Sequence, residues 1–180
     1  MIPNERKTDV NPSDLEFRTL PEWRVDEVMV EMDEAKRKRL TAELKRRMDE
    51  GENLFYAEIP REGAPGDTVG VGSWCVRSWP RQEGPDESSG LVEISFIHVR
   101  PEYRGKGMGK AILENAIVQA ADLFEGTEYP LRKVYALVSS GNKKGMEAYR
   151  RWGFDEEAVL NRHFSDEFDT VVMSTRMENV

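Results

Sequence analysis

Cysteine is almost missing from this chain. Cys75 is the single one in 180 residues, so no internal disulfide can form. Histidine is nearly as scarce: His98 and His163 stand far apart, and without a Cys/His cluster no metal is expected. No apolar run approaches the roughly 18 residues that a membrane-spanning helix needs, so no membrane partner is expected. An excess of basic residues is lacking too, since 26 Lys and Arg face 34 Asp and Glu, for a net charge of −8. That balance excludes general affinity for nucleic acid; it suits a cationic substrate and also keeps a protein soluble. Residues 1–14 are polar, contain Pro3 and Pro12, and have no apolar stretch of a secretory signal. They read as a flexible lead-in to one domain over residues 15–180, with the cytoplasm as the expected compartment.

What is present is a hydrophobic content of 38% beside 33% charged residues, enough for one ordinary core. Leu15 to Leu20 alternates apolar and polar residues and predicts a first strand. Pro21 opens a helical region, one helix or two, that Gly51 closes. In it Leu40, Leu44 and Met48 recur at helical spacing, so the basic run Lys36-Arg37-Lys38-Arg39 reads as a solvated helix face. Strands follow at Leu54 to Ile59, ended by Pro60 and a Gly/Pro/Asp loop, and at Val69 to Val76, where Cys75 reads as a buried thiol. The acidic stretch from Trp79 to Gly90 is a loop. Leu91 to Val99 is the most strand-like segment, and Pro101 stops it. Met108 to Leu123 carries a helical apolar stripe through Ile112, Leu113, Ala116, Ile117 and Ala120. A strand at Lys133 to Val138, a short helix from Asn142 to Trp152 ended by Gly153, and strands Phe154 to Leu160 and Thr170 to Met177 complete a mixed α/β pattern of the α+β type.

Between the strand ending at Val99 and the helix from Met108 lies Arg104-Gly105-Lys106-Gly107-Met108-Gly109-Lys110. Amides at such a turn point outward at a helix N-terminus, where they are unpaired and aided by the helix dipole. They form an anion site fit for a pyrophosphate. The letters reject two other phosphate motifs. A dinucleotide fingerprint starting at Gly105 requires glycine where Lys110 stands, and a P-loop requires Ser or Thr where Ala111 stands.

Arg104-x-x-Gly107-x-Gly109 after a strand ending Val-x-Pro resembles the coenzyme A-binding motif of the GNAT acetyltransferase superfamily. A second motif agrees with it: Asn142, Tyr149 seven residues later, then Gly153-Phe154, resembling Asn-x(6)-Tyr-x(3)-Gly-Phe. The element order from about Leu15 to Met177 is similar as well. The resemblance implies a twisted mixed sheet of about seven strands, splayed in the middle and flanked by about four helices. The pantetheine arm of acetyl-CoA, as cosubstrate, would pair with backbone of Ile97 and Val99 like an added strand. The turn from Arg104 to Lys110 would hold the pyrophosphate, and Asn142 would contact the coenzyme.

The family's chemistry is direct attack of an amine on the thioester. Tyr149 matches its general acid by position, and Glu93 lies at the offset of the catalytic glutamate of some GNAT histone acetyltransferases. A carboxylate in an apolar strand costs several kcal/mol to desolvate unless it is paired or faces a wet cleft. By alternation Glu93, Ser95 and Ile97 share one face, opposite Ile94, Phe96 and the rival base His98. A lysine-like amine costs about 4–5 kcal/mol to deprotonate at pH 7, an α-amine only ~1, so the need for a base depends on the substrate. The tail from Arg162-His163-Phe164 to Asp169 and Met173 loosely resembles peptide N-terminal acetyltransferases. Leu137 stands where those enzymes often carry a glutamate, which leaves a primary amine on a polyamine, peptide or protein open as acceptor. A homodimer is common in the family. The rival readings are an acyl-CoA sensor without turnover and a plain interaction domain.

Overall fold

The computed structural model describes residues 10–25, 33–78, 90–127 and 130–177. Its strands are β1 (Glu16–Thr19), β2 (Asn53–Arg61), β3 (Ala64–Ser78), β4 (Gly90–Val99), β5 (Leu131–Ser139), β6 (Asp155–Leu160) and β7 (Thr170–Arg176). Its helices are α1 (Glu34–Asp49), α2 (Met108–Phe124) and α3 (Lys143–Arg151). The strands form one sheet in the order β1-β2-β3-β4-β5-β7-β6, in which β4 and β5 are parallel and every other pair antiparallel.

The expected seven strands are all present, whereas α-helices number three among the described residues rather than about four. The region after Pro21 opens with a 3-10 turn, Glu22–Arg24, and Val25 is already α-helical; residues 26–32 lie outside the described residues, as do 79–89 of the expected acidic loop. Gly90 already belongs to β4. Of the expected lead-in, residues 1–9 lie outside the described residues, while Pro12–Asp14 form a 3-10 turn closed by an Asn11 capping box. Val10 and Leu15 pack on the core. Pro60 does not end its strand: β2 continues to Arg61, and a register shift between Ile59 and Arg61 accommodates the residue that cannot donate a ladder hydrogen bond.

The sheet buries both faces. On one, Phe55, Trp74, Val92 and Ile94 pack against Ile112, Leu113 and Phe124 of α2, the stripe predicted from its periodicity. On the other, Leu54, Tyr56 and Val71 pack against fully buried Leu44 of α1, flanked by Leu40 and Met48. The outer side of α1 is laced with ion pairs such as Lys38–Glu34 (2.8 Å) and Arg47–Glu43 (2.8 Å), as a solvated face should be.

Helix α2 sits so close to the sheet that β3 needs glycine beneath it. A Cβ at Gly70 would stand 2.3 Å from the His98 carbonyl oxygen and 2.8 Å from Ile112 Cδ1. The first of these is backbone and cannot step aside. Gly70→Ala is therefore expected to destabilise the fold by about 2–3 kcal/mol, the range of core overpacking. Thermal unfolding should show it as a midpoint lowered by roughly 5–10 °C for a chain of this size.

Candidate active site

Strands β4 and β5 pair only at their beginnings. Their register runs from Gly90↔Leu131 to Glu93↔Tyr135 and stops, although β4 continues to Val99 and β5 to Ser139. Each strand keeps its outer neighbour beyond that point, β3 as far as Gly70↔Val99 and β7 as far as Ser139↔Thr170. The sheet is thus split from Glu93 and Tyr135 onward. The Arg100 amide donates to the Val69 carbonyl (2.9 Å), so by alternation the backbone groups of Val99 and Ile97 point the other way, into the split. They can receive an extended chain that carries amides. The Val99 carbonyl already accepts from Arg104 Nε (2.9 Å), which fixes that arginine at the end of β4.

A bulge decides which side chains face which side. Ile94 pairs with Trp74 and Phe96 with Ser73, leaving Ser95 as the extra residue. Strict alternation fails here. Ile97 and Val99 join Ile94 on the α2 side, while Phe96 packs on the opposite cluster with its ring stacked on His98 (6.2 Å between centroids). Ser95 stays with Glu93, its Oγ 3.4 Å from the Cys75 sulfur. His98 therefore shares the Glu93 face, contrary to the expectation from alternation, and Ile97 does not.

Past Val99, Pro101–Tyr103 form a 3-10 turn and the glycine turn follows. Gly105 (φ +77°) and Gly107 (φ +82°) take the left-handed conformation, and Gly107 is the N-cap of α2. Among the described residues, no backbone carbonyl outside α2 accepts from the amides of Gly105 through Gly109. Helix geometry leaves those of Met108 and Gly109 without an intrahelical partner as well. Such a run of amides around left-handed positions has the shape from which anion-binding concavities are built. Lys106 reaches over the Tyr103 ring (5.9 Å), and Lys110 pairs with Glu114 (3.2 Å). Pro12 backs the turn, 3.2 Å from where a Cβ of Gly107 would stand.

Across the split, the Asn-x(6)-Tyr-x(3)-Gly-Phe pattern is the complete set of ends of one short helix. Asn142 caps α3, its Oδ1 accepting from the Gly145 amide (3.0 Å). At the other end the Gly153 amide donates to the Arg150 carbonyl (3.1 Å) and that of Phe154 to the Tyr149 carbonyl (3.0 Å), with Gly153 at φ +89°. This is a Schellman motif, and its usual apolar contact is the Tyr149–Phe154 ring pair at 5.2 Å. Trp152 adds a second ring contact to Tyr149 at 5.4 Å and reaches α2, within 3.3 Å of where a Cβ of Gly109 would lie. Tyr149 is thereby fixed beside the split. Burial, with a smaller push from the negative charge of Glu93, raises its phenol well above the ordinary tyrosine range.

Glu93 is buried, with 11% of its side chain exposed, and it is paired. Oε2 accepts from Arg77 Nε on β3 (2.7 Å) and from the Tyr135 hydroxyl on β5 (3.2 Å). Arg77 is held the more firmly protonated by that hydrogen bond. Its other end approaches Glu52 Oε1 (3.9 Å), and buried Glu52 also takes Arg47 (3.0 Å) and Ser73 Oγ (3.3 Å). The Tyr135 phenol is pushed up to about 12, by burial first and then by the charge and hydrogen bond of Glu93. Cys75 lies beside Glu93 across the β3–β4 ladder, its thiol raised chiefly by burial and so kept neutral.

Residues 18–154 match the sequence model of the acetyltransferase (GNAT) family. The chain belongs to that family. It is 27% identical over 96 residues to the spermine/spermidine N(1)-acetyltransferase of Bacillus subtilis, covering 53% of this chain and 58% of that protein. To the streptothricin acetyltransferase of Streptomyces lavendulae it is 28% identical over 105 residues, 58% of this chain and 48% of that one. It thus spans less than two thirds of either relative's length. Among solved structures it resembles Arabidopsis thaliana NAA60 in complex with a bisubstrate analogue, at TM-score 0.65 and 18% identity, over 90% of this chain and 97% of the other. At that identity the likeness is one of fold.

In this GNAT domain the sheet brings Glu93, Ile97, Val99, the turn from Arg104 to Lys110 and Tyr149 to the margins of one split. Asn142 is close in sequence but is engaged as a helix cap. Arg77 and Tyr135 were not legible as site residues, since each is an ordinary strand residue far from Glu93 in sequence; only the register joins them. Val134, Ala136 and Val138 are buried in the core, so Leu137 shares the opposite face of β5 with Tyr135, and no carboxylate stands there.

Proposed function

We propose that this chain is an N-acetyltransferase that moves the acetyl group of acetyl-CoA to a primary amine by direct attack. The observation that carries the reading is the split itself, with a strand edge at Ile97 and Val99 that β5 does not pair, leading to the left-handed glycine turn. An extended pantetheine arm matches that edge as an added strand. The amides from Gly105 to Gly109 suit the pyrophosphate, that of Lys110 being already given to the Gly107 carbonyl (3.0 Å), with Arg104 bracing the strand end and Lys106 adding positive charge. Asn142 has its Nδ2 to offer the coenzyme while Oδ1 caps α3.

The chemistry then needs a neutral amine and a proton for the leaving sulfur. Glu93 removes a proton from the ammonium, directly or through one water. The freed amine attacks the thioester carbon, the C–N bond forms, and the C–S bond breaks as the tetrahedral centre collapses. Tyr149 donates to the departing sulfur and recovers a proton from the amide nitrogen. The net products are the N-acetyl amine, coenzyme A and one proton. The named activities of the Bacillus and Streptomyces relatives support an amine acceptor, without choosing between a small polyamine and a peptide or protein amine.

Acetyl-CoA turnover, read as free thiol released, tests the reading against polyamines, lysine peptides and peptides with free N-termini. Release with one class is expected and names the acceptor. Tight coenzyme binding with no release on any amine would favour the sensor reading instead.

A further inference from the structure

The grip on Glu93 is lopsided, and that asymmetry has a chemical use. Both donors meet the same oxygen: Arg77 Nε from β3 and the Tyr135 hydroxyl from β5 converge on Oε2, while Oε1 accepts no hydrogen bond among the described residues. The two donors sit on the two strands that flank β4: Tyr135 opposite Glu93 at the last rung before the sheet opens, and Arg77 at a register shift of β3 two residues beyond Cys75, which pairs with Glu93. A carboxylate held from one side only would swing or exchange its oxygens about its last torsion. Held from both sides, it cannot do so without breaking a charge-assisted bond.

We infer that Tyr135 and Arg77 are positioning residues that pin Oε2 of Glu93 and so dedicate Oε1 to taking the proton of the acceptor ammonium. The inference rests on Glu93 acting as the base. In the step itself an N–H bond of the ammonium breaks and an Oε1–H bond forms, the proton passing to solvent after acetyl transfer. The Glu93 side chain keeps 11% exposure.

The surroundings set the sign of the electrostatic effect. Glu93 is faced by Arg77 and Cys75 from β3, Tyr135 from β5, Tyr149 from α3 and Ser95 from its own strand, with Glu52 behind Arg77. Arg77 is the single cation among the described residues just named. Cys75 and the two tyrosines are held neutral at neutral pH, since burial raises all three. A cation and a neutral phenol therefore both meet Oε2, and Glu52 lies farther off, behind Arg77. Removing either donor takes a charge-assisted partner from Oε2, and the acidic limb of the rate profile is expected to move up.

The test is the pH profile of kcat/KM for wild type, Tyr135→Phe, Arg77→Met, Arg77→Lys and Glu93→Gln, with acetyl-CoA affinity measured alongside. Tyr135→Phe should move the acidic limb up by roughly one pH unit, the worth of one hydrogen bond to a charged group. Arg77→Met should move it up at least as far, and Arg77→Lys should restore part of that shift, because it keeps the charge without the fixed Nε. Coenzyme affinity should stay within about threefold in all of them. A purely structural role would lower the rate at every pH alike and leave the limb in place. Should Arg77→Met fail to fold, having left Glu93 buried without its cation, Tyr135→Phe decides alone. If Glu93→Gln removes the limb while Tyr135→Phe overlays wild type, the positioning role is overturned and the base assignment survives. If Glu93→Gln keeps the wild-type limb, the base assignment fails and the inference falls with it.

Discussion

Tyr149→Phe is expected to lower kcat by about 10²–10⁴-fold, the usual worth of a positioned general acid. Acetyl-CoA affinity should be almost unchanged. The separation between the two is possible because the ring and the hydroxyl have different tasks. The ring packs on Phe154 and Trp152, and the Schellman end of α3 uses only its backbone, so phenylalanine keeps all of this. Only the O–H is lost. A raised phenol stays protonated to higher pH, so Tyr149 remains a donor throughout the range in which the enzyme works. Any alkaline limb below about pH 10 must then come from another group. Because a thiol is more acidic than this phenol, the donation acts as a hydrogen bond to the developing thiolate, and transfer completes as the amide loses its proton. Rapid-mixing measurement of thiol release, beside calorimetry with acetyl-CoA, gives both quantities. Unchanged turnover would remove the role assigned to Tyr149.

Gly107→Val should weaken acetyl-CoA binding by on the order of 10²–10³-fold, equivalent to losing two or so amide bonds to a charged phosphate. The cause is the shape of the backbone rather than obstruction by the side chain. A Cβ at Gly107 would point at Pro12, 3.2 Å away, rather than into open space. At φ +82° a β-branched residue is strained by about 1–3 kcal/mol, and relief comes by swinging φ negative. That motion turns the amides of Gly107 and Met108 away from a common centre and dissolves the anion concavity. Two further variants isolate the cause. Gly107→Asn should lose much less, because asparagine tolerates the left-handed region. Gly105→Ala, at φ +77° with open space around its Cβ, should show strain without any clash. If Gly107→Val binds acetyl-CoA as wild type does, with its helix content intact, the turn is not the phosphate site.

Much of the molecule was legible in local chemistry. The stripe of α2, the glycines of the turn and the Asn-to-Phe pattern around α3 are each fixed within a few residues: by a 3.6-residue period, by positive φ, by an N-cap and a Schellman end. Their physics needs no distant partner, and for that reason motif and element coincide. Strand existence was legible for the same reason, through alternation and bounding prolines. Boundaries were less so at Pro60, where a register shift lets the strand run on.

The sequence by itself therefore determined the fold class, the order of elements, the glycine turn and the placement of Tyr149 on a capped helix. Tertiary structure alone decided how β4 meets its neighbours. A single extra residue, Ser95, reverses the side-chain alternation past it, so His98 joins the Glu93 face and Ile97 leaves it. No periodicity within β4 announces this, because a bulge is a mismatch between two strands rather than a property of either. The same holds for the Arg77–Glu93–Tyr135 cluster, whose members meet only once β3, β4 and β5 are in register. Burial of Glu93 then makes the meeting consequential: a carboxylate in open water exchanges such partners freely, whereas one with 11% of its side chain exposed keeps both donors on the same oxygen.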